Sequence, residues 1–315
     1  MEIHTTRIPG AGLSLAADVA GPEDGVPVIL LHGGGQTRHA WSGALTALAR
    51  SGHRAFSVDL RGHGDSDWAD DGDYDPQAFA ADVQAITESL QQPPVLVGAS
   101  LGGAASLLAI GQAARDGRSA PARGLVLVDV APRLEKEGVG QIRDFMTRHM
   151  GGFASLDEAA AAIADYTPNR QRATRPEGLM KNLRHGDDGR LYWHWDPRFI
   201  LGVNEEAHDV HEEAMGQAAH HVKVPVMLVW GRQSNVISSD SVRDLSERIP
   251  HANVVDIASA GHMVVGDRND AFNHAVIDFI AALDEAAGAS KRGARGSPPR
   301  ADLSESPPTS RPAPG

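Results

Sequence analysis

The sequence predicts an α/β fold: an eight-stranded, mostly parallel sheet with helices on both faces and a helical cap inserted into it. Three observations carry this. Short, nearly continuous apolar runs such as Val26 to His32 and Val95 to Val97 alternate with segments of helical periodicity, as strands covered on both faces do. A G-x-S-x-G turn, Gly98-Ala99-Ser100-Leu101-Gly102, lies between such a run and an apolar, helix-forming segment. The alternation stops over residues 132–222 and resumes after them.

Taken in order, residues 2–8 and 13–19 alternate apolar and polar around Pro9-Gly10-Ala11-Gly12, which reads as an antiparallel hairpin. The buried strand 26–32 ends in Gly33-Gly34-Gly35, a loop whose backbone can approach a ligand closely. Residues 41–51 are helical in period, and 54–59 form the next strand. Asp75-Pro76 is a helix start with an N-cap and proline at N1. Phe79, Val83, Ile86 and Leu90 then recur along one face. The serine strand and its helix follow, then the strand 123–129. In the cap, residues 135–150, 155–165, 176–185 and 209–220 read as helices, and 191–195 as an aromatic, non-helical stretch. The second of these opens on Ser155-Leu156-Asp157-Glu158, a capping-box pattern. Strand 224–231, helix 239–249, strand 253–257 and a helix over about 267–285 complete the body. The expected domains are therefore a core of 1–131 and 223–285, a cap of 132–222 and a disordered tail of 286–315. The tail carries five basic and two acidic residues and almost no large apolar ones.

Composition removes several function classes. The chain of 315 residues is 41% hydrophobic, enough for a full core, and has no cysteine, so disulfides and thiolate chemistry are excluded. A net charge of −12 argues against nucleic-acid binding. No apolar run reaches the roughly 18–20 residues of a membrane span, and residues 1–7 lack the apolar core of a signal peptide. A cytoplasmic protein without membrane partners is the expectation. His208, His211, His220 and His221 cluster with Asp209, Glu212 and Glu213, but no tight ligand motif is present and no metal is expected. Gly62-His63-Gly64 lacks the full dinucleotide fingerprint, so no cofactor is expected either.

Strand, sharp turn and helix are the setting in which G-x-S-x-G presents a nucleophile. A helix starting at Ser100 places N–H groups and a positive dipole end where an attacked carbonyl develops charge. Together with His32-Gly33-Gly34-Gly35, Asp59-Leu60-Arg61-Gly62-His63-Gly64-Asp65-Ser66 and Ala260-Gly261-His262, the order of motifs resembles the α/β-hydrolase superfamily over residues 2–285. The resemblance implies a serine, acid, histidine order. Ser100 comes first and His262 last, with His32 supporting the glycine loop. The usual acid follows the strand before the last, where this chain has Ser234-Asn235. Some members carry the acid one strand earlier, which here is Asp129. Asp129 is the preferred third member, Asn235 the alternative orienter of the imidazole. Asp240 better fits a helix cap. The implied oxyanion hole uses the N–H groups of Gly34 and Leu101. Trp193 and Trp195, two apart in an extended segment, are candidate pocket residues.

A serine nucleophile favours acyl transfer to water, so the expected activity is hydrolysis of a small carboxylic ester or lactone. Other readings share the scaffold: a metal-free, haloperoxidase-like perhydrolase, a C–C bond hydrolase, a cofactor-free oxygenase and a non-catalytic ligand-binding protein. The expected partner is a small-molecule substrate. The sequence leaves oligomeric state and substrate identity open.

Overall fold

The computed structural model describes residues 2–166, 176–203, 205–257 and 270–294. The hairpin β1 (His4–Pro9) and β2 (Ser14–Ala20) is antiparallel. It is followed by β3 (Pro27–Leu31), α1 (Ser42–Arg50), β4 (Arg54–Val58), α2 (Pro76–Glu88), β5 (Val95–Ala99), α3 (Leu101–Arg115) and β6 (Gly124–Val128). An insertion then carries α4 (Lys136–Arg148), α5 (Leu156–Tyr166), a 3-10 turn (Pro176–Asn182), β7 (Leu183–His185), β8 (Leu191–Trp193) and α6 (Pro197–Leu201). After it come α7 (Glu205–His221), β9 (Val226–Gly231), α8 (Ser239–Arg248), β10 (Asn253–Ile257) and α9 (Asp270–Ala294). The main sheet has eight strands in the order β1-β2-β4-β3-β5-β6-β9-β10, parallel from β4 onward.

The continuous apolar runs have a physical reason in this arrangement. Along β3, Ile29 and Leu31 face one core layer with Phe79 of α2 and Leu107 of α3. Val28 and Leu30 face the other, with Trp41, Leu45 of α1 and Val276 of α9. Both faces of the strand are dry, so no polar alternation survives. The start of α2 is capped as its residues dictate: the Asp75 carboxylate accepts from Gln77 N–H at 3.0 Å, and Pro76 occupies the first turn.

Three boundaries depart from the sequence expectation. Residues 176–185 are a 3-10 turn plus a strand, because Leu183 to His185 find backbone partners in Leu191 to Trp193. The excursion from the core ends before 222, since α7 packs along α3 so closely that a Cβ on Gly111 would lie 2.4 Å from the Ala218 carbonyl. The last helix runs to Ala294, past the boundary at 286. Among the described residues, no helix is long and apolar enough to cross a membrane.

Candidate active site

Ser100 stands between β5 and α3 at φ +45°, ψ −113°, a conformation outside the regions open to most side chains. It is held there by bonds on both sides. Its N–H donates to the Val128 carbonyl of β6 at 3.1 Å, and its carbonyl accepts from Ala104 N–H at 2.9 Å. The turn closes only with glycine around it. A Cβ on Gly98 would lie 2.4 Å from the backbone of Gly102, and one on Gly102 would lie 2.5 Å from the Leu31 carbonyl. The strain therefore resides where the surrounding structure over-determines it.

The glycine loop passes directly beside this serine: a Cβ on Gly33 would be 3.4 Å from Ser100 Cβ, and one on Gly34 would be 3.9 Å from Leu101 Cδ2. Its donors divide cleanly. Gly33 N–H donates to Gln36 Oε1 at 3.1 Å and Gly35 N–H to His63 Nε2 at 3.1 Å. Gly34 N–H and Leu101 N–H donate to no acceptor among the described residues. Two neighbouring backbone donors thus stay open at the start of α3, where the helix dipole adds positive potential.

Asp129 follows β6 at φ +51° and is 1% exposed. Its N–H donates to the Val229 carbonyl at 2.9 Å, and its Oδ2 accepts from Ser234 Oγ at 2.7 Å. Ser234 also accepts from Val236 N–H at 3.1 Å, so the loop after β9 curls over the Asp129 carboxylate. Asn235 is placed differently. Its side chain is exposed and its amide donates to Gln141 Oε1 of α4 at 2.7 Å, while its carbonyl abuts Gly138. His262 lies outside the described residues. Asp240 sits in the first turn of α8, whose capping side chain is Ser238.

The two tryptophans do not share surroundings. Trp193 packs within the insertion, its ring 5.1 Å from Phe153 and 5.9 Å from Phe145. Trp195 reaches the glycine loop: its Nε1 would be 3.7 Å from a Cβ on Gly35, and Met146 of α4 and Phe199 of α6 crowd Gly35 and Gly34. These apolar side chains line the insertion's side of the loop. Among the described residues no group of three or more His, Asp or Glu is placed to hold a metal.

Sequence reasoning missed how the loop 59–66 acts. Asp59, fully buried, accepts from Arg38 N–H at 2.5 Å and from Asp65 N–H at 2.9 Å, and pairs with the Arg38 guanidinium, which also pairs with Asp18 at 2.9 Å and Asp65 at 2.7 Å. Arg61 forms a bidentate bond with buried Asp82, at 2.6 and 2.7 Å. Asp59 and Arg61, charges that directly follow the strand 54–58, were the available signal. Charges so placed are buried only when paired.

Comparison with known proteins agrees with this geometry. The α/β-hydrolase fold family model matches residues 26–268. The chain is 31% identical over 253 residues to esterase Rv0045c of Mycobacterium tuberculosis, covering 76% of this chain and 78% of the relative. It is 28% identical over 250 residues to a 3-hydroxybutyrate-oligomer hydrolase of Cupriavidus necator, covering 75% and 83%. Among solved structures, E-2-(acetamidomethylene)succinate hydrolase superposes with a TM-score of 0.77 at 21% identity, over 89% of this chain and 100% of that one, a likeness of fold.

Proposed function

The chain belongs to the α/β-hydrolase family and is a hydrolase, and we propose that it is a serine esterase cleaving a small carboxylic ester or lactone through an acyl-enzyme on Ser100. One observation carries the proposal: a serine at φ +45° on the strand-to-helix turn, with the open N–H groups of Gly34 and Leu101 beside it. Ser100 Oγ attacks the substrate carbonyl, and the carbonyl oxygen takes up negative charge that those two donors and the start of α3 stabilise. His262, in the position the family motif assigns, accepts the serine proton and returns it to the leaving alcohol; water then releases the acid by the same path.

Asp129 is the orienting acid in this reading. Its burial and its bond from Ser234 support that role, whereas the Asn235 amide is engaged with the insertion. The insertion serves as the cap, and Met146, Trp195 and Phe199 give it an apolar side toward the glycine loop, suited to an apolar acyl or alcohol group. The esterase and oligomer hydrolase among the relatives support an ester bond as the target.

A fluorophosphonate probe tests this directly. It should label Ser100 and no other serine, and Ser100→Ala should abolish both labelling and hydrolysis of p-nitrophenyl butyrate. Labelling elsewhere overturns the assignment. Peroxide- and halide-dependent turnover in place of ester hydrolysis would make the protein a perhydrolase. Ligand binding with neither labelling nor turnover would make it a non-catalytic member.

A further inference from the structure

His63 is fully buried between the glycine loop and the insertion, and both its ring nitrogens are used. Nε2 accepts from Gly35 N–H at 3.1 Å, so the ring proton sits on Nδ1 and donates to the Arg61 carbonyl at 2.9 Å. Arg61 is itself clamped by Asp82. The far side of the ring is covered by the insertion. The Phe199 ring stands edge-on to it at 4.9 Å, and the His63 backbone forms an antiparallel bridge with Trp195.

The place of the glycine loop makes this bond matter for the reaction. The Gly33–Gly34 peptide has its carbonyl held by His32 Nδ1 at 2.8 Å and by Gln36 N–H at 3.1 Å. In a trans unit the N–H of Gly34 points the opposite way. That plane sets the direction of the N–H, but the place of Gly34 beside Ser100 is fixed only if the loop is pinned on its other side as well, since its glycines have no Cβ to restrict it. The next plane carries Gly35 N–H, and His63 is what holds it.

We infer that His63 is a positioning residue of this enzyme: by anchoring Gly35 N–H to the Arg61 backbone it pins the far side of the glycine loop and so holds Gly34 N–H in place beside the oxyanion. The inference rests on the serine-esterase reading. His63 touches neither substrate nor Ser100 in this role, so its loss weakens binding of the transition state and leaves ground-state binding nearly unchanged.

The test compares His63→Leu, which fills the space without an acceptor, with His63→Gln, whose Oε1 reaches where Nε2 stood. With p-nitrophenyl butyrate, His63→Leu should lower kcat by about 10- to 100-fold with KM within about threefold. It should weaken a trifluoromethyl ketone inhibitor by the same factor, and His63→Gln should recover most of both. A folded Leu variant with wild-type kcat, or Leu and Gln variants equally slow, overturns the inference. If the variants do not fold, the imidazole 15N shifts of wild-type His63 decide. A neutral ring protonated at Nδ1 supports it, and one protonated at Nε2 overturns it. A wild-type protein that hydrolyses no ester refutes the esterase reading and this inference with it. Normal wild-type turnover beside an unaffected Leu variant refutes the inference alone.

Discussion

The loops around Ser100 and the insertion that lies over them are held by different means. Around the serine, the groups are buried and each is bonded several times. Asp59 binds Arg38 and the Asp65 backbone, Arg61 is locked to Asp82, and His32 and His63 each engage two backbone groups. The insertion meets the core through shared apolar packing and through hydrogen bonds spread along its two flanks, the Thr37 hydroxyl to the Lys181 carbonyl and Arg198 to the Ala69 carbonyl among them. Gly64 N–H donates to the His194 carbonyl at 2.7 Å, Asp196 N–H to the Gly62 carbonyl at 2.8 Å, and Tyr74 OH to Asp196 Oδ2 at 2.6 Å. On the other flank Glu135 N–H donates to the Val236 carbonyl at 2.8 Å and Asn235 to Gln141. Geometry near the serine has to be set to fractions of an ångström, which interlocked buried groups achieve. In the proposed reading, where the insertion is the cap, these are the joints that would part to admit substrate.

The sharpest break in this comparison sets Asp129 against Asn235. Asp129→Asn should reduce kcat by about 10⁴-fold with the fold retained, the loss expected when a carboxylate no longer supports the imidazolium. Asn235→Ala removes only a joint to α4 and should change kcat by less than about threefold. The two rates and the melting temperatures check this. An active, stable Asp129→Asn protein would transfer the orienting role to Asn235.

A second contrast concerns stability. Arg38→Met leaves Asp59 buried without its cation and should destabilise the protein by about 3–5 kcal/mol. Tyr74→Phe removes the bond to Asp196 of the insertion and the acceptor of Ala69 N–H, and should lose about 1–2 kcal/mol. Urea denaturation of both variants measures the difference, and equal losses would erase the distinction between the regions.

A third contrast is a pH dependence. Burial pushes the His32 imidazole down to about 4 and that of His63 down to about 3, the latter aided by His32, whose ring centroid is 5.2 Å away. The unfolded chain protonates both near 6.5, so it binds more protons than the native state between that pH and about 4. Stability is complete above about 6.5 and declines as pH falls toward the folded values. The slope is at most about 1.4 kcal/mol per pH unit for each histidine. The melting temperature should drop from pH 7 to pH 5 in the wild type, and less in His63→Gln. A slope unchanged by that substitution would place the acid sensitivity elsewhere.

The sequence by itself determined what depends on neighbours along the chain. Apolar runs marked the strands buried on both faces, Asp75-Pro76 marked a helix start, and two glycines around Ser100 marked a turn that tolerates no other residues at those places. The family order of motifs followed from the same local signals. Tertiary structure alone decided which distant groups meet. Leu183 to His185 read as helix until Leu191 to Trp193 offered backbone partners. Ser234 and Asn235 are adjacent in sequence, yet one reaches Asp129 and the other reaches α4. His63 lies 28 residues from Gly35, and no pattern at either position announces the bond between them. Local periodicity reports which face of an element is dry. Which donor finds which acceptor depends on how the chain closes on itself, and that is settled only when buried polar groups must all be satisfied at once.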